Sequence, residues 1–383
     1  MKLVLNMIYL DNAATTYPKP EQVYAAMDKA NRSMAFNAGR GSYAVARAAT
    51  EIIDSARQKM SSLLGADRCA DVIFTTSVTQ AMNQVLQGLE LPPQSVVYIS
   101  PYEHNAVART IHALSLTNDI IIKQLPLTSD LRIDVDKAKF MFYSQPPRAV
   151  VMNAISNVTG YVLPVADIFT EAKNFDAITI LDGAQAAGLI PLDINKLHAD
   201  IICFAGHKTL CGPFGVAGFA IRRSITLKPT FTGGTGSDSL NLEMPEIAPA
   251  RYEASSPNVV AISGLLAALD TLDIDAHYQK VHDLTSYLLS GLALIPNVRV
   301  LGAYTPGDTI GIISLIVDGY LSDEVGSILD QEFGIAVRTG YHCAPFIHEY
   351  LCDLSSNGTV RISVGQFNTK ADIDALLAAL ESL

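Results

Sequence analysis

Between residues 71 and about 221, short apolar runs rich in β-forming residues recur along the chain, at 72–75, 96–100, 120–125, 149–155, 177–182, 199–205 and 216–221. Between them the apolar positions mostly fall into a helical period, as over 79–88 and 165–175. Continuous apolar strands alternating with helices predict a largely parallel sheet covered on both faces. Residues 231–257 break the rhythm: they are rich in Gly, Pro, Ser and Glu, hold no sustained apolar period, and read as a long excursion and a boundary. Beyond them, helical patterns over 259–272, 277–294, 322–332 and 369–383 mix with strands at 309–317, 335–339 and 360–364, which predicts a compact α+β unit. The expected organisation is a large α/β domain over 10–255 and a small α+β domain over 256–383, joined by the segment 1–9. No internal repeat or low-complexity tail interrupts it.

Composition narrows the class. With 383 residues, 49% of them hydrophobic and 17% charged, the chain can bury a large core. A formal charge of −11, with no basic run interleaved with aromatics, argues against a nucleic acid or an anionic membrane as partner. No apolar stretch reaches the roughly 18 residues of a membrane-spanning helix, and Met1 to Met7 is too short for a signal peptide. Five cysteines without paired spacing do not make a disulfide framework. The expected location is the cytoplasm.

Two of the apolar runs end in chemistry. Ile201 to Ala205 is followed by Gly206-His207-Lys208, and a lysine at the mouth of a buried strand sits where desolvation disfavours its charge and leaves a nucleophilic amine. Ile178 to Asp182 ends in a carboxylate followed by Gly183-Ala184-Gln185. Neighbouring strands would present Asp182 and Lys208 together. Pyridoxal phosphate (PLP) needs that pair, an amine for its aldehyde and an acid for its ring nitrogen. The plainer readings are a solvated surface lysine and an aspartate that caps the following turn.

Other segments carry their own alternatives. Thr79 stands at a helix start after a strand, a place for a phosphate or for an ordinary N-cap. Arg361, flanked by apolar residues in a strand, wants a bidentate anion such as an amino-acid carboxylate, or else a structural salt bridge. Cys343 follows His342 near Arg338 in a segment read as flexible, a setting that suits a nucleophilic thiol, whereas Cys203 alternates inside a strand and reads as core. Cys343, His348 and Cys352 lack the fourth ligand and paired spacing of a metal site, so no metal is expected.

Several motifs in order carry a resemblance over nearly the whole chain. They are Tyr9-Leu10-Asp11-Asn12-Ala13-Ala14-Thr15, Gly39-Arg40-Gly41-Ser42, Thr76-Ser77-Val78-Thr79-Gln80-Ala81-Met82-Asn83, Glu103-His104-Asn105-Ala106, Ser156-Asn157-Val158-Thr159-Gly160, Asp182-Gly183-Ala184-Gln185, Gly206-His207-Lys208, and Arg338-Thr339-Gly340-Tyr341-His342-Cys343-Ala344-Pro345. In these the chain resembles the class V branch of fold type I PLP-dependent enzymes. Within that branch it is similar to the cysteine desulfurases whose catalytic cysteine lies in an Arg-Thr-Gly-x-His-Cys segment. Gly233-Gly234-Thr235-Gly236-Ser237 is similar to a stretch of a less characterised desulfurase-like subfamily.

The resemblance implies PLP held by Lys208, with Asp182 at the ring nitrogen, Gln185 at the phenolic oxygen, His104 stacked on the ring and Asn157 orienting ring or substrate. It implies a phosphate site from the Val78 N–H, Thr79 and His207, with Thr235 reaching the phosphate of the other subunit of a homodimer. Ala13, Arg40, Arg338, Asn157 and Arg361 would bind L-cysteine. Cys343 would take its sulfur as a persulfide, leave L-alanine, and pass the sulfur to an acceptor; the alternatives within the same chemistry are a class V aminotransferase and a selenocysteine lyase. A non-catalytic scaffold of the same fold is the reading from a different class.

Overall fold

The computed structural model describes residues 7–39, 41, 43–236, 240–302, 304 and 307–383. Its N-terminal part contains β1 (Ile8–Tyr9) and helices α1 (Glu21–Ser33) and α2 (Ala44–Leu63). The α/β part follows as β2 (Ala70–Thr75), α3 (Val78–Gly88), β3 (Val96–Ile99), α4 (Asn105–Asn118), β4 (Ile121–Gln124), α5 (Val135–Ser144), β5 (Ala149–Asn153), α6 (Val165–Lys173), β6 (Ile178–Asp182), β7 (Ile201–Ala205) and β8 (Ala217–Arg222). Strands β2 to β8 form one sheet in the order β2-β8-β7-β6-β5-β3-β4. It is parallel except at β8, which runs antiparallel to both β2 and β7.

Burial on both faces explains why these strands read as continuous apolar runs. Along β3, Tyr98 belongs to one apolar cluster while Val97 and Ile99 belong to the other; along β5, Val150 and Met152 face one and Ala149 and Val151 the other. Cys203 packs with Ile201 and Phe219 and is completely buried, as a core cysteine. The sheet is tightly filled where β2, β8 and β7 meet. A Cβ added to Gly218 would stand 2.1 Å from the Ile73 carbonyl oxygen and 2.6 Å from the Phe204 ring, so only glycine lets these strands close. Phe204 is wholly buried and meets Phe74 edge to face at 6.4 Å. Phe204→Ala is therefore expected to lower stability by about 3–5 kcal/mol, read as a lower denaturant midpoint with an unchanged slope.

After the 231–257 excursion, which holds no helix or strand among its described residues, come α7 (Val259–Thr271), α8 (Ile274–Leu292), β9 (Val298–Leu301), β10 (Ile312–Val317), α9 (Ser322–Phe333), β11 (Ile335–Ala336), β12 (Arg338–Gly340), α10 (Ile347–Leu351), β13 (Thr359–Ser363) and α11 (Lys370–Glu381). Helix α7 packs on α1 and α2. An antiparallel sheet runs β12-β13-β10-β9.

Three differences from the sequence reading have local causes. Helix α8 begins earlier than residue 277, because the Asp273 carboxylate caps it by accepting the Ala276 N–H at 3.0 Å. The strand read from 309 starts at Ile312, since Gly311 takes a φ of +73° and breaks the extended run. The run at 335–339 divides between two sheets: β11 pairs with β1, and β12 pairs with β13. Through β1 and the Asn12 and Ala13 bonds to Ser363, the N-terminal segment is tied to the C-terminal part.

Candidate active site

The sheet's topology brings the two reactive runs together. Strands β6 and β7 are parallel neighbours with Asp182 opposite Cys203, so Asp182 and the turn carrying Lys208 emerge at the same edge. Both line a cavity of about 240 Å³. Alanines at 13, 14, 106, 184 and 205 keep its walls low. Asp182 is buried, and its Oδ1 accepts the Ala184 N–H at 2.9 Å. Burial pushes its carboxyl up, while the Ala184 N–H and the Lys208 charge oppose that. For Lys208, burial lowers the amine to about 8; Asp182 works against the shift and the guanidinium groups of Arg361 and Arg338 reinforce it. The sequence-level pairing of an acid with a desolvated lysine is present in the geometry.

One wall is the N-terminus of α3. Ser77 is its cap, with Oγ accepting the Gln80 N–H at 3.2 Å, so Thr79 is not the cap and is free for another role. The first-turn N–H groups of Val78 and Thr79 lie at the positive end of the helix, where no intrahelical acceptor exists, and both residues line the cavity. His207 lines it too: its ring stacks on Phe214 at 4.5 Å, and its buried Nδ1 has no partner. Burial, helped by the charges of Lys208 and Lys19, holds the His207 imidazole down to about 3.

His104 caps α4, with Nδ1 accepting the Ala106 N–H at 3.0 Å. Nε2 must then carry the hydrogen of a neutral ring. Burial lowers this imidazole to about 4, with the nearby Lys208 charge adding to the effect. Gln185 donates Nε2–H to the Ala13 carbonyl at 2.8 Å, and Asn157 donates Nδ2–H to the His342 carbonyl at 2.7 Å while its Oδ1 stays buried and unpartnered.

Arg361 is buried and partly committed: Nη2 meets Asp11 Oδ1 at 2.7 Å and Nη1 donates to the Asn157 carbonyl at 3.0 Å, leaving Nε buried without a partner. The salt-bridge reading of Arg361 holds, and Asp11 occupies only one edge of the guanidinium. Arg338 stands directly across from Arg361 on β12 and β13, and both face the cavity. Two like charges opposite each other in a sheet are unfavourable without an anion between them.

Cys343 is exposed and also lines the cavity, and so stands at its mouth. It also borders an outer groove with Ala108, Arg109, Pro345 and Phe346. His342 and Cys343 adopt φ of +46° and +57°. Their conformation is held by the Asn105 N–H bonded to the Cys343 carbonyl at 2.6 Å, and by His342 Nε2 to Thr359 Oγ1 at 2.7 Å. Because Thr359 donates to Ser314 Oγ at 3.1 Å, and Ser314 to the Val158 carbonyl at 2.6 Å, His342 is the donor to Thr359. Below the loop, the buried His348 spans Asp353 Oδ2 at 2.5 Å and the Tyr341 carbonyl at 2.9 Å. Both its ring nitrogens are thus engaged in hydrogen bonds that brace the loop.

Of the remaining expected residues, Ala13 lines the cavity. Thr235 does not; it borders a separate cavity of about 300 Å³, together with Arg57, Gln80 and Ser255. Arg40 and Ser237 lie outside the described residues. Sequence reasoning passed over Asp11 and Lys19, whose partners are remote in the chain.

A mostly parallel sheet flanked by helices, with an acid and a lysine at the ends of adjacent strands, defines the fold of type I PLP-dependent enzymes. The chain belongs to the class-V aminotransferase family, whose profile matches residues 8–376. A probable cysteine desulfurase of Streptomyces coelicolor is 31% identical, over 98% of this chain and 91% of the relative. A cysteine desulfurase of Escherichia coli O127:H6 is 29% identical, over 99% of this chain and 94% of the relative. Among solved structures, the apo cysteine desulfurase of Thermococcus onnurineus NA1 superposes with a TM-score of 0.92 at 27% identity, covering 100% of this chain and 96% of that one. The cysteine desulfurase CsdA of Escherichia coli, in an S-sulfonic acid form, gives 0.83 at 29% identity, covering 98% and 94%.

Proposed function

We propose that this chain is a PLP-dependent cysteine desulfurase that converts L-cysteine to L-alanine and takes the sulfur as a persulfide on Cys343. The observation that carries the reading is a buried amine–acid pair, Lys208 and Asp182, in a cavity with a thiol, Cys343, at its mouth. The residues fit the cofactor by their unsatisfied groups. The free N–H groups at the start of α3, the unpartnered His207 Nδ1 and the Thr79 hydroxyl suit a phosphate, and Asp182 suits a ring nitrogen. PLP, when bound, supplies an aldehyde for the amines and a conjugated ring that accepts the electron pair left by the Cα proton.

The chain's own groups supply the rest. With its amine lowered to about 8, Lys208 is neutral far more often at neutral pH than an ordinary lysine, so it holds the cofactor and removes the substrate's Cα proton. Asp182 would keep the ring nitrogen protonated, Gln185 would meet the phenolic oxygen, and the neutral His104, which lines the same cavity, would relay protons. The substrate carboxylate sits between the Arg361 Nε edge and Arg338, and Asn157, bonded to both the Arg361 region and the His342 carbonyl, couples substrate binding to the thiol loop. Ala13 lines the substrate side, and Arg40 is a further substrate residue implied by the family resemblance. Overall, Cys343 Sγ forms an S–S bond to the substrate sulfur as its Cβ–S bond breaks. The sulfur is oxidised to the sulfane level, Cβ is reduced to a methyl group, and one thiol proton ends on that carbon.

The same reading includes a homodimer in which Thr235 contributes to the partner's phosphate site, a division into units 10–255 and 256–383, a sulfur acceptor, and a cytoplasmic setting. No helix among the described residues is long and apolar enough to cross a membrane. The test is a product assay on purified holoprotein given L-cysteine. Equal amounts of alanine and transferable sulfur are expected. Amino transfer that depends on a 2-oxo acid would establish an aminotransferase, activity confined to selenocysteine a selenocysteine lyase, and failure to bind PLP a scaffold.

A further inference from the structure

We propose that Lys19 is a positioning residue that fixes the backbone of Lys208, an inference that rests on the assignment of Lys208 as the cofactor-holding amine. Lys19 lies in the turn before α1, in the segment Thr15-Thr16-Tyr17-Pro18-Lys19. Its Nζ donates to the His207 carbonyl at 2.7 Å and to Thr15 Oγ1 at 3.2 Å. The same carbonyl accepts the Thr15 hydroxyl at 2.9 Å and the Thr16 N–H at 3.1 Å. The next carbonyl, that of Lys208, accepts the Thr16 hydroxyl at 2.7 Å and the Cys211 N–H at 2.8 Å. A carbonyl oxygen has two lone pairs, yet the one before Lys208 gathers three donors, all from one short N-terminal segment. The peptide plane that sets the direction of the Lys208 side chain is thereby held from outside its own loop.

The cation that does this is an expensive one to place there. Lys19 is half-buried and has no carboxylate within ion-pair reach among the described residues; besides the oxygens it has the Phe214 ring, 6.0 Å away, which also stacks on His207, and the nearby Cys211 thiol. Burial lowers its amine to about 8. A methionine would fill the same space without the desolvation penalty of a charge. What methionine lacks is the bond to the His207 carbonyl, and so the site of action is the 207–208 peptide. The reach of Lys208 Nζ to a reacting carbon depends on that peptide, and small misplacements of a catalytic group cost large factors in rate.

The experiment compares Lys19→Met, Lys19→Arg and Thr15→Val with wild type by three readouts: kcat and KM for L-cysteine per bound PLP, the rate at which apoprotein takes up PLP, and the melting temperature. Lys19→Met is expected to lower kcat and slow PLP uptake by about 10-fold each with KM within about 2-fold of wild type. Lys19→Arg, which keeps charge and donor, is expected to recover most of the loss. The double variant Lys19→Met/Thr15→Val should lose less than the product of the single losses, because both donors serve one carbonyl. Should Lys19→Met be insoluble, Lys19→Gln, a donor without charge, is expected to fall between wild type and that pattern. Unchanged kcat per PLP and unchanged PLP uptake in Lys19→Met overturn the proposal, as does an equal loss in Lys19→Arg matched by a fall in melting temperature. PLP uptake needs no amino-acid substrate, so a wild type that takes up PLP but leaves cysteine intact would sink the proposed activity alone.

Discussion

Lys208→Ala is expected to abolish desulfuration, by ~1,000-fold or more in kcat, equivalent to about 4 kcal/mol of transition-state stabilisation. The purified variant should also lack the covalently held cofactor, so that borohydride fixes no PLP to the chain. Two features make the effect large. The amine is the group that is both desolvated and paired with Asp182 in the cavity, and Arg338 and Arg361, which also line it, carry guanidinium groups that offer no primary amine to take its place. Lys208→Arg should therefore fail equally. Because Lys208 lies in the turn beyond β7 and not within the core clusters, the variant is expected to fold. Full activity in Lys208→Ala would remove the basis of the proposed function.

Cys343→Ser is expected to have the second large effect, with a different signature. PLP binding and its visible absorption should be retained, since the cavity wall made by α3, His104, Asp182 and Lys208 is untouched. Alanine formation from L-cysteine should fall by ~1,000-fold, as expected for loss of a nucleophile, and no sulfur should remain on the chain. A serine hydroxyl at the same left-handed backbone position, φ +57°, preserves the loop's bonds from Asn105 and His342 and removes only the sulfur. An unchanged rate in Cys343→Ser would move the nucleophile elsewhere. Cys203 is not available for that duty, since it is wholly buried on one face of the sheet and burial pushes its thiol well up.

The strands of the main sheet were legible because burial on both faces leaves them continuously apolar, as in Ala149–Asn153 and Ile201–Ala205. Helices α1 and α2 leave little mark in the sequence: much of their buried face is alanine, at 30, 46, 49 and 56, which contrasts weakly with its polar neighbours. The division of 335–339 between two sheets was also hidden, since hydrogen-bonding partners leave no mark in an apolar run. At the site, Lys208 and Asp182 announced themselves by standing at strand ends. Thr79 was correctly placed at a helix start, but the cap is Ser77. The pairing of Arg361 with Asp11 and of Lys19 with the His207 carbonyl joins residues far apart in sequence, and neither the acid nor the lysine is unusual in its own surroundings.

If a cofactor-bearing amine at 208 and a thiol at 343 act on one bound amino acid, a single turnover leaves the sulfur on the chain. Mass spectrometry of the holoprotein after one addition of L-cysteine, without acceptor or reductant, reads that product. A gain of one sulfur atom on the peptide containing Cys343 is expected, reversible by a thiol reductant and matched by one alanine released. Alanine released with the Cys343 peptide unmodified, or sulfur found on another cysteine, would contradict it.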